Sequence, residues 1–224
     1  DLLRAGAPAL KTYKAASISG FFLMHETVEN KPVYPNEMKT IFALANSTHG
    51  LNSKCIASKS SDQQWECNFA QESYKFIETP FMVLNSALDS WQTNCILTAE
   101  PVQPSSESNG NCSAAPGWED CSKDPAKCTP QQMPAMITYE TDFLFALNGS
   151  STFTKPGNGA FVYSCHTHCA AQSSAFNTFK IGGVSMQQAV SKWWASSAEE
   201  DAASNTYLPC LYHTTAPVQC NPTC

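Results

Sequence analysis

Apolar residues come in short blocks between polar stretches, and their spacing predicts alternating strands and helices. Residues 1–12 read as the end of a helix broken near Pro8, and residues 13–24 as a strand running into a turn at Gly20. Asn36 is placed as the N-cap of a helix whose Met38, Ile41, Phe42 and Ala45 recur at i, i+3, i+4 and i+7; this stripe is assigned to the core. Phe81 to Leu84 is a continuous apolar run, the pattern of a strand covered on both faces. Met133, Met136, Ile137, Glu140, Phe143, Leu144 and Leu147 then follow at helical spacing. Thr129 to Gln132 resembles a capping box before that helix, and Asn148-Gly149 ends it. Phe161, Val162 and Tyr163 form a β-branched and aromatic run, read as a second buried strand. Ser185 with Gln188 opens a last helix whose inward stripe is Met186, Ala189, Val190, Trp193 and Trp194.

Strand and helix thus alternate three times, which predicts an α/β fold with a mostly parallel sheet flanked by helices. At 224 residues the chain suits one domain, or one large part of a domain. No signal-peptide pattern stands at residue 1, so the chain is expected to be processed or partial.

Composition narrows the partners. Charged residues make up 14% and the net charge is −6, with no cluster of Lys and Arg. Nucleic acid is therefore not expected, because phosphate neutralisation needs grouped cations. No apolar run reaches the ~20 residues of a membrane span. Eleven cysteines point to an oxidising compartment. Three sequons, at Asn46, Asn111 and Asn148, point the same way, so a secreted or lumenal glycoprotein is predicted. Cys55 and Cys67 are expected to bridge within a polar loop. Residues 101–130, with Cys112, Cys121 and Cys128, read as a disulfide-tied surface excursion. The cysteine-rich tail at 205–224 reads as a stapled terminus, and the odd cysteine count leaves at least one thiol free or paired outside the chain.

Two strand ends carry the candidate chemistry. The first leads into Asn85-Ser86-Ala87-Leu88-Asp89-Ser90-Trp91-Gln92, with an acid just past the strand. The second leads into Ser164-Cys165-His166-Thr167-His168-Cys169, and spacing alone does not choose between its histidines. An acid after one strand and a histidine after a later one match the Asp…His half of a hydrolase triad in chain order. Such a histidine accepts the nucleophile's proton, and the acid holds its tautomer and stabilises the imidazolium. No Gly-x-Ser-x-Gly elbow accompanies them; Ser17-Ile18-Ser19-Gly20 comes nearest and lacks the first glycine. Cys165, His166, His168 and Cys169 are all zinc-ligand types, but four ligands within five residues do not readily surround one tetrahedral ion. Neither a metal nor a cofactor is assigned.

These motifs resemble those of the pectin acetylesterase/Notum carboxylesterase family. Ser164 to Ala170 is similar to the family's Ser-Cys-Phe-Ala-His-Cys-Gln, and Ala87 to Gln92 to its Ala-Tyr-Asp-Ser-Trp-Gln. Gly20 to Leu23 resembles its Gly-Phe-Phe-Leu turn, and Tyr212 with Cys220-Asn-Pro-Thr-Cys224 its cysteine-rich end. The resemblance covers residues 11–95 and 128–172, then the tail. Where the family has Cys-Leu-Ser-Asp-Ala-Gly, this chain has Ala15-Ala16-Ser17-Ile18-Ser19-Gly20, and the family's glutamine is Ala170.

The resemblance implies an α/β-hydrolase-like, disulfide-rich fold, of which residues 1–224 are the C-terminal portion. It implies a secreted serine carboxylesterase acting on an O-acetylated polysaccharide or a lipid-modified protein. Asp89 becomes the triad acid and His168 the base, with His166 where relatives have Phe. Phe21, Phe22, Trp91 and His166 are expected to line the substrate pocket. The serine elbow of relatives falls about a dozen residues before Asp1, so an upstream segment or second chain is expected to supply the nucleophile. The rival expectation is an inactive family member serving as a structural or binding component of an extracellular assembly.

Overall fold

The structure is a computed structural model that describes residues 12–100, 112–209, 221, 223 and 224. Its centre is a four-stranded parallel sheet in the order β1 (Ala15–Ile18), β2 (Phe81–Ser86), β3 (Gly159–Tyr163) and β6 (Thr206–Tyr207). A two-stranded antiparallel ribbon, β4 (Lys180–Ile181) with β5 (Val184–Ser185), stands apart. The α/β architecture with a mostly parallel sheet is the one that the alternation predicts.

β2 and β3 are continuous apolar runs because both of their faces are covered. Successive side chains point to opposite faces, so each strand feeds two cores. Val83, Ala160 and Val162 pack with Met136, Tyr139, Phe143 and Leu147 of the long helix α2 (Met133–Asn148; α1 is Val33–Leu44). Met82, Leu84, Phe161 and Tyr163 pack with Met186, Ala189 and Trp193 of α3 (Met186–Ala195). Ser185 caps α3 with the full reciprocal box to Gln188. Gly159 opens β3 because a side chain there would come within 2.7 Å of the Asn205 carbonyl and 3.2 Å of the Trp193 ring.

Several expectations about the helices are corrected. α1 begins at Val33, three residues before Asn36, and no side chain caps it. Pro35 is tolerated because the first turn needs no N–H donor. Only that first turn is buried, through Val33, Tyr34 and Pro35. Most of the stripe assigned to the core is not there: Met38 packs half-buried against it, but Ile41 is 50% exposed and Ala45 exposed, with Leu44 beside them at 83%. Helical spacing marks an apolar face but not what covers it. Before α2, residues 130–132 form a turn, so only the backward half of the box survives, Thr129 N–H donating to Gln132 Oε1. In α3, Trp193 is buried and Trp194 is 54% exposed, since adjacent positions lie about 100° apart around a helix. The first strand is shorter than residues 13–24, ending at Ile18 because Ser19 takes a left-handed backbone with φ 50°.

Four disulfides join described cysteines: Cys55–Cys67, Cys95–Cys112, Cys121–Cys128 and Cys165–Cys224. The first is the loop bridge that proximity predicts. The second and third tie down the described part of the 101–130 excursion, and the fourth fastens the tail to the histidine loop. Cys169 carries a free thiol among the described residues. The helix predicted within 1–12, the Asn111 sequon, Cys210, Cys220 and Tyr212 lie outside the described residues, apart from Thr12 itself. Asn46 and Asn148 are both exposed. No helix among the described residues is long and apolar enough to cross a membrane.

Glu140 is the one inward position of the α2 pattern that carries a charge in water. It is 4% exposed, its Oε1 has no hydrogen-bond partner among the described residues, and burial pushes its carboxyl up to about 7. A raised carboxyl favours the protonated folded state. Its contribution is therefore full below about pH 4.5 and is lost as pH rises through about 7. Glu140→Gln, which keeps the shape and removes the charge, is expected to raise Tm by at least about 3 °C at pH 8 and to leave it unchanged near pH 4. Thermal melts at the two pH values check this; an equal shift at both would contradict the titration argument.

Candidate active site

β2 and β3 are in register to their last residues, with Asn85 opposite Val162 and Ser86 opposite Tyr163. The two loops that follow therefore leave the same edge of the sheet side by side. Ser86 joins them, its hydroxyl donating to the Cys165 carbonyl at 2.7 Å and accepting the Leu88 N–H at 3.0 Å. Three residues on, Asp89 caps a short helix, Ser90–Gln92, that continues as a π-helical stretch, Thr93–Leu97.

Asp89 and His168 meet. His168 Nδ1–H donates to Asp89 Oδ2 at 2.8 Å. Asp89 Oδ1 accepts the N–H groups of Trp91 and Gln92, each at 3.0 Å. Both carboxylate oxygens are thus engaged, as a residue only 1% exposed requires. Burial pushes the Asp89 carboxyl above its ordinary value, while the His168 hydrogen bond and the two N–H donors pull it back. With Nδ1 committed to the acid, the remaining ring nitrogen, Nε2, has the lone pair. The His168 side chain is 31% exposed, so that nitrogen can be approached. An imidazole oriented and charge-stabilised in this way can accept a proton from a hydroxyl and return it to a leaving group.

The expected pocket residues separate. Phe22 stacks on the His168 ring at 6.2 Å, and Trp91 lies 6.5 Å from it and 5.0 Å from Phe22. Tyr34 meets both Phe22 and Trp91 edge-on, closing an aromatic wall beside the imidazole. Phe21 is elsewhere: it is 2% exposed and packs edge-on against Tyr74 and Phe143 in the core. Adjacent residues of an extended segment face opposite ways, so only one of the pair can reach the site. His166 turns toward the excursion, with Nε2 2.8 Å from Thr93 Oγ1. Cys165 is bridged to Cys224, and no cluster of three or more metal-ligand types stands among the described residues.

A set of buried polar residues that the hydrophobic pattern does not single out holds this arrangement. Gln92 Oε1 accepts from Leu23 N–H and the Tyr139 hydroxyl, and Nε2 donates to the Phe21 carbonyl. Asn85 Oδ1 accepts the Phe21 N–H. Together they pin residues 21–23 and so set Phe22 against His168. Ser19, left-handed and 2% exposed, accepts the Cys169 N–H at 2.9 Å and shares a hydrogen bond with the Tyr163 phenol. Its hydroxyl is thereby committed to holding the histidine loop. Asn221 completes the frame, its Oδ1 accepting the Ser164 N–H while its own N–H donates to Ser164 Oγ. The available signal was a polar residue inside or just after an apolar strand, as at Asn85, Ser86 and Gln92.

Burial lowers His166 to about 4, against the opposing pull of the Asp124 charge and the Ser122 carbonyl. A histidine held neutral by the fold binds its proton more readily unfolded. Its contribution is full above about pH 6.5 and is lost as pH falls toward about 4. His166→Gln is therefore expected to flatten the decline of Tm between about pH 7 and pH 4.5, read by calorimetry. An unchanged slope would remove His166 from the acid response.

Comparison with known proteins agrees with the motifs. Pectin acetylesterase 11 of Arabidopsis thaliana is 28% identical over 228 residues, covering all of this chain and 52% of the relative. Pectin acetylesterase 7 of the same plant is 26% identical over 231 residues, with the same shares. The chain thus spans about half the length of these curated relatives. Among solved structures, the Drosophila Wnt deacylase Notum superposes with a TM-score of 0.64 at 19% identity, over all of this chain and 53% of that one, and so shares its fold. The pectinacetylesterase family model matches residues 1–224, and the chain belongs to that family.

Proposed function

We propose that this chain is the C-terminal portion of a single α/β-hydrolase-like domain in a secreted serine carboxylesterase that hydrolyses acyl esters through an acyl-serine intermediate. The observation that carries the reading is the Asp89–His168 hydrogen bond, which leaves Nε2 of an oriented imidazole accessible. His168 takes the serine proton as the hydroxyl attacks the ester carbonyl, then returns it to the departing alcohol. Asp89 holds the Nδ1–H tautomer and stabilises the imidazolium. Phe22 and Trp91 form the apolar wall beside the scissile bond. The relatives' names, pectin acetylesterase and Wnt deacylase, fit two ester classes, an O-acetylated polysaccharide and a lipid-modified protein.

The serine comes from a segment outside residues 1–224, on a second chain or on the rest of the same one. Ser19, the nearest approach to an elbow, has its hydroxyl buried and engaged with Cys169 and Tyr163. The length of the relatives leaves room for such a segment. The reading as an inactive binding protein draws on Ile18, which stands 43% exposed at the end of β1 where relatives carry aspartate, and on Ala170 in place of their glutamine.

A fluorophosphonate serine probe on the full-length protein, followed by peptide mapping, tests the assignment. The expected result is a single labelled serine outside residues 1–224. His168→Ala and Asp89→Asn are expected to lower turnover of an acyl ester by about 10³–10⁴-fold with the fold intact. Labelling of a serine within the 224 residues would identify a different nucleophile. A folded full-length protein with no labelled serine would support the inactive binding protein instead.

A further inference from the structure

Five large apolar side chains among the described residues stand well exposed: Ile18, Ile41, Leu44, Phe145 and Trp194. Three of them come shortly before an exposed sequon asparagine. Ile41 and Leu44 precede Asn46, and Phe145 precedes Asn148. Both groups stand in the last turns of a helix, α1 and α2.

We propose that Asn148 is N-glycosylated and that its first sugar lies on the Phe145 ring, so that the glycan covers an apolar surface that the described residues leave bare. The proposal rests on the secreted reading above, because the glycosyl donor is lumenal. In the reaction, Asn148 Nδ2 attacks C1 of the first N-acetylglucosamine of a polyprenyl-diphosphate-linked oligosaccharide. The C–N bond forms, the C–O bond to the diphosphate breaks, the polyprenyl diphosphate leaves, and one amide proton is released. Ser150 supplies the hydroxyl of the sequon.

The geometry comes from the helix. Residues three apart share a face, with Cβ atoms about 5–6 Å from one another. Every Cα–Cβ bond tilts toward the helix N-terminus, so a side chain at 148 lies over the turn before it. In that turn Leu144 is buried at 6% and Phe145 is 78% exposed. A sugar leaving Asn148 is thus directed across the phenyl ring. One face of a β-linked N-acetylglucosamine presents only axial C–H groups, which suit the electron-rich face of an aromatic ring. Their contact removes apolar area of both partners from water.

The test uses full-length protein routed through the secretory pathway of a eukaryotic host. Enzymatic deglycosylation in ¹⁸O-water followed by peptide mapping reads occupancy at Asn148. Tm before and after deglycosylation is compared for the wild type, Phe145→Ala and Phe145→Tyr. Occupancy is expected, with a loss of about 2 °C on glycan removal in the wild type and in Phe145→Tyr, and little or no loss in Phe145→Ala. An equal loss in all three would show that the glycan does not rest on residue 145, and no loss in the wild type would do the same. An unmodified Asn148 in secreted protein that still hydrolyses ester would overturn this proposal while leaving the esterase reading intact. Loss of hydrolysis with normal occupancy would do the reverse.

Discussion

Parallel pairing of β2 with β3 is the constraint on which the rest depends. The two strands are buried on both faces and in register from Met82 opposite Gly159 to Ser86 opposite Tyr163. A slip of one residue would turn every side chain to the other face. It would also carry Asp89 away from His168, because each sits a few residues beyond its strand's end. The apolar alternation that fills the two cores is therefore also what aligns the acid with the imidazole. Gly159 contributes at the far end, where the strand must pass close to the Asn205 backbone and the Trp193 ring.

Past the strand ends, the polar residues take over. A carboxylate as buried as Asp89 needs partners, and the cap N–H groups with His168 supply them. Ser86 ties the acid loop to the histidine loop, Ser19 ties the histidine loop to the end of β1, and Gln92 ties the acid loop to residues 21–23. The Cys165–Cys224 bridge and Asn221 fasten the same loop to the tail. Function-bearing side chains on loops can hold a defined geometry only when the scaffold constrains them from several directions. Here the imidazole is fixed from below by Asp89 and from the side by Phe22 and Trp91. The aromatic wall makes its surroundings apolar and leaves one nitrogen free.

Much of this was legible in the chain. Short apolar runs read as parallel strands because a strand buried on both faces has no polar side to show. The Ser185 to Gln188 box read correctly because capping depends on residues within one turn. Asp89 and His168 stood out because a titratable residue just past a buried strand is rare enough to be noticed. By itself the sequence determined the α/β alternation, the loop bridge of Cys55 with Cys67 and the placing of an acid and a histidine at strand ends, all carried by neighbours within a few positions. The tertiary structure alone decided the rest: which of two adjacent phenylalanines faces His168, that Met38 to Ala45 is mostly surface, and that Trp194 is exposed beside a buried Trp193. Those outcomes depend on what lies opposite each residue in space. Opposition between residues such as Ser19 and Cys169, 150 positions apart, leaves no local periodicity to read.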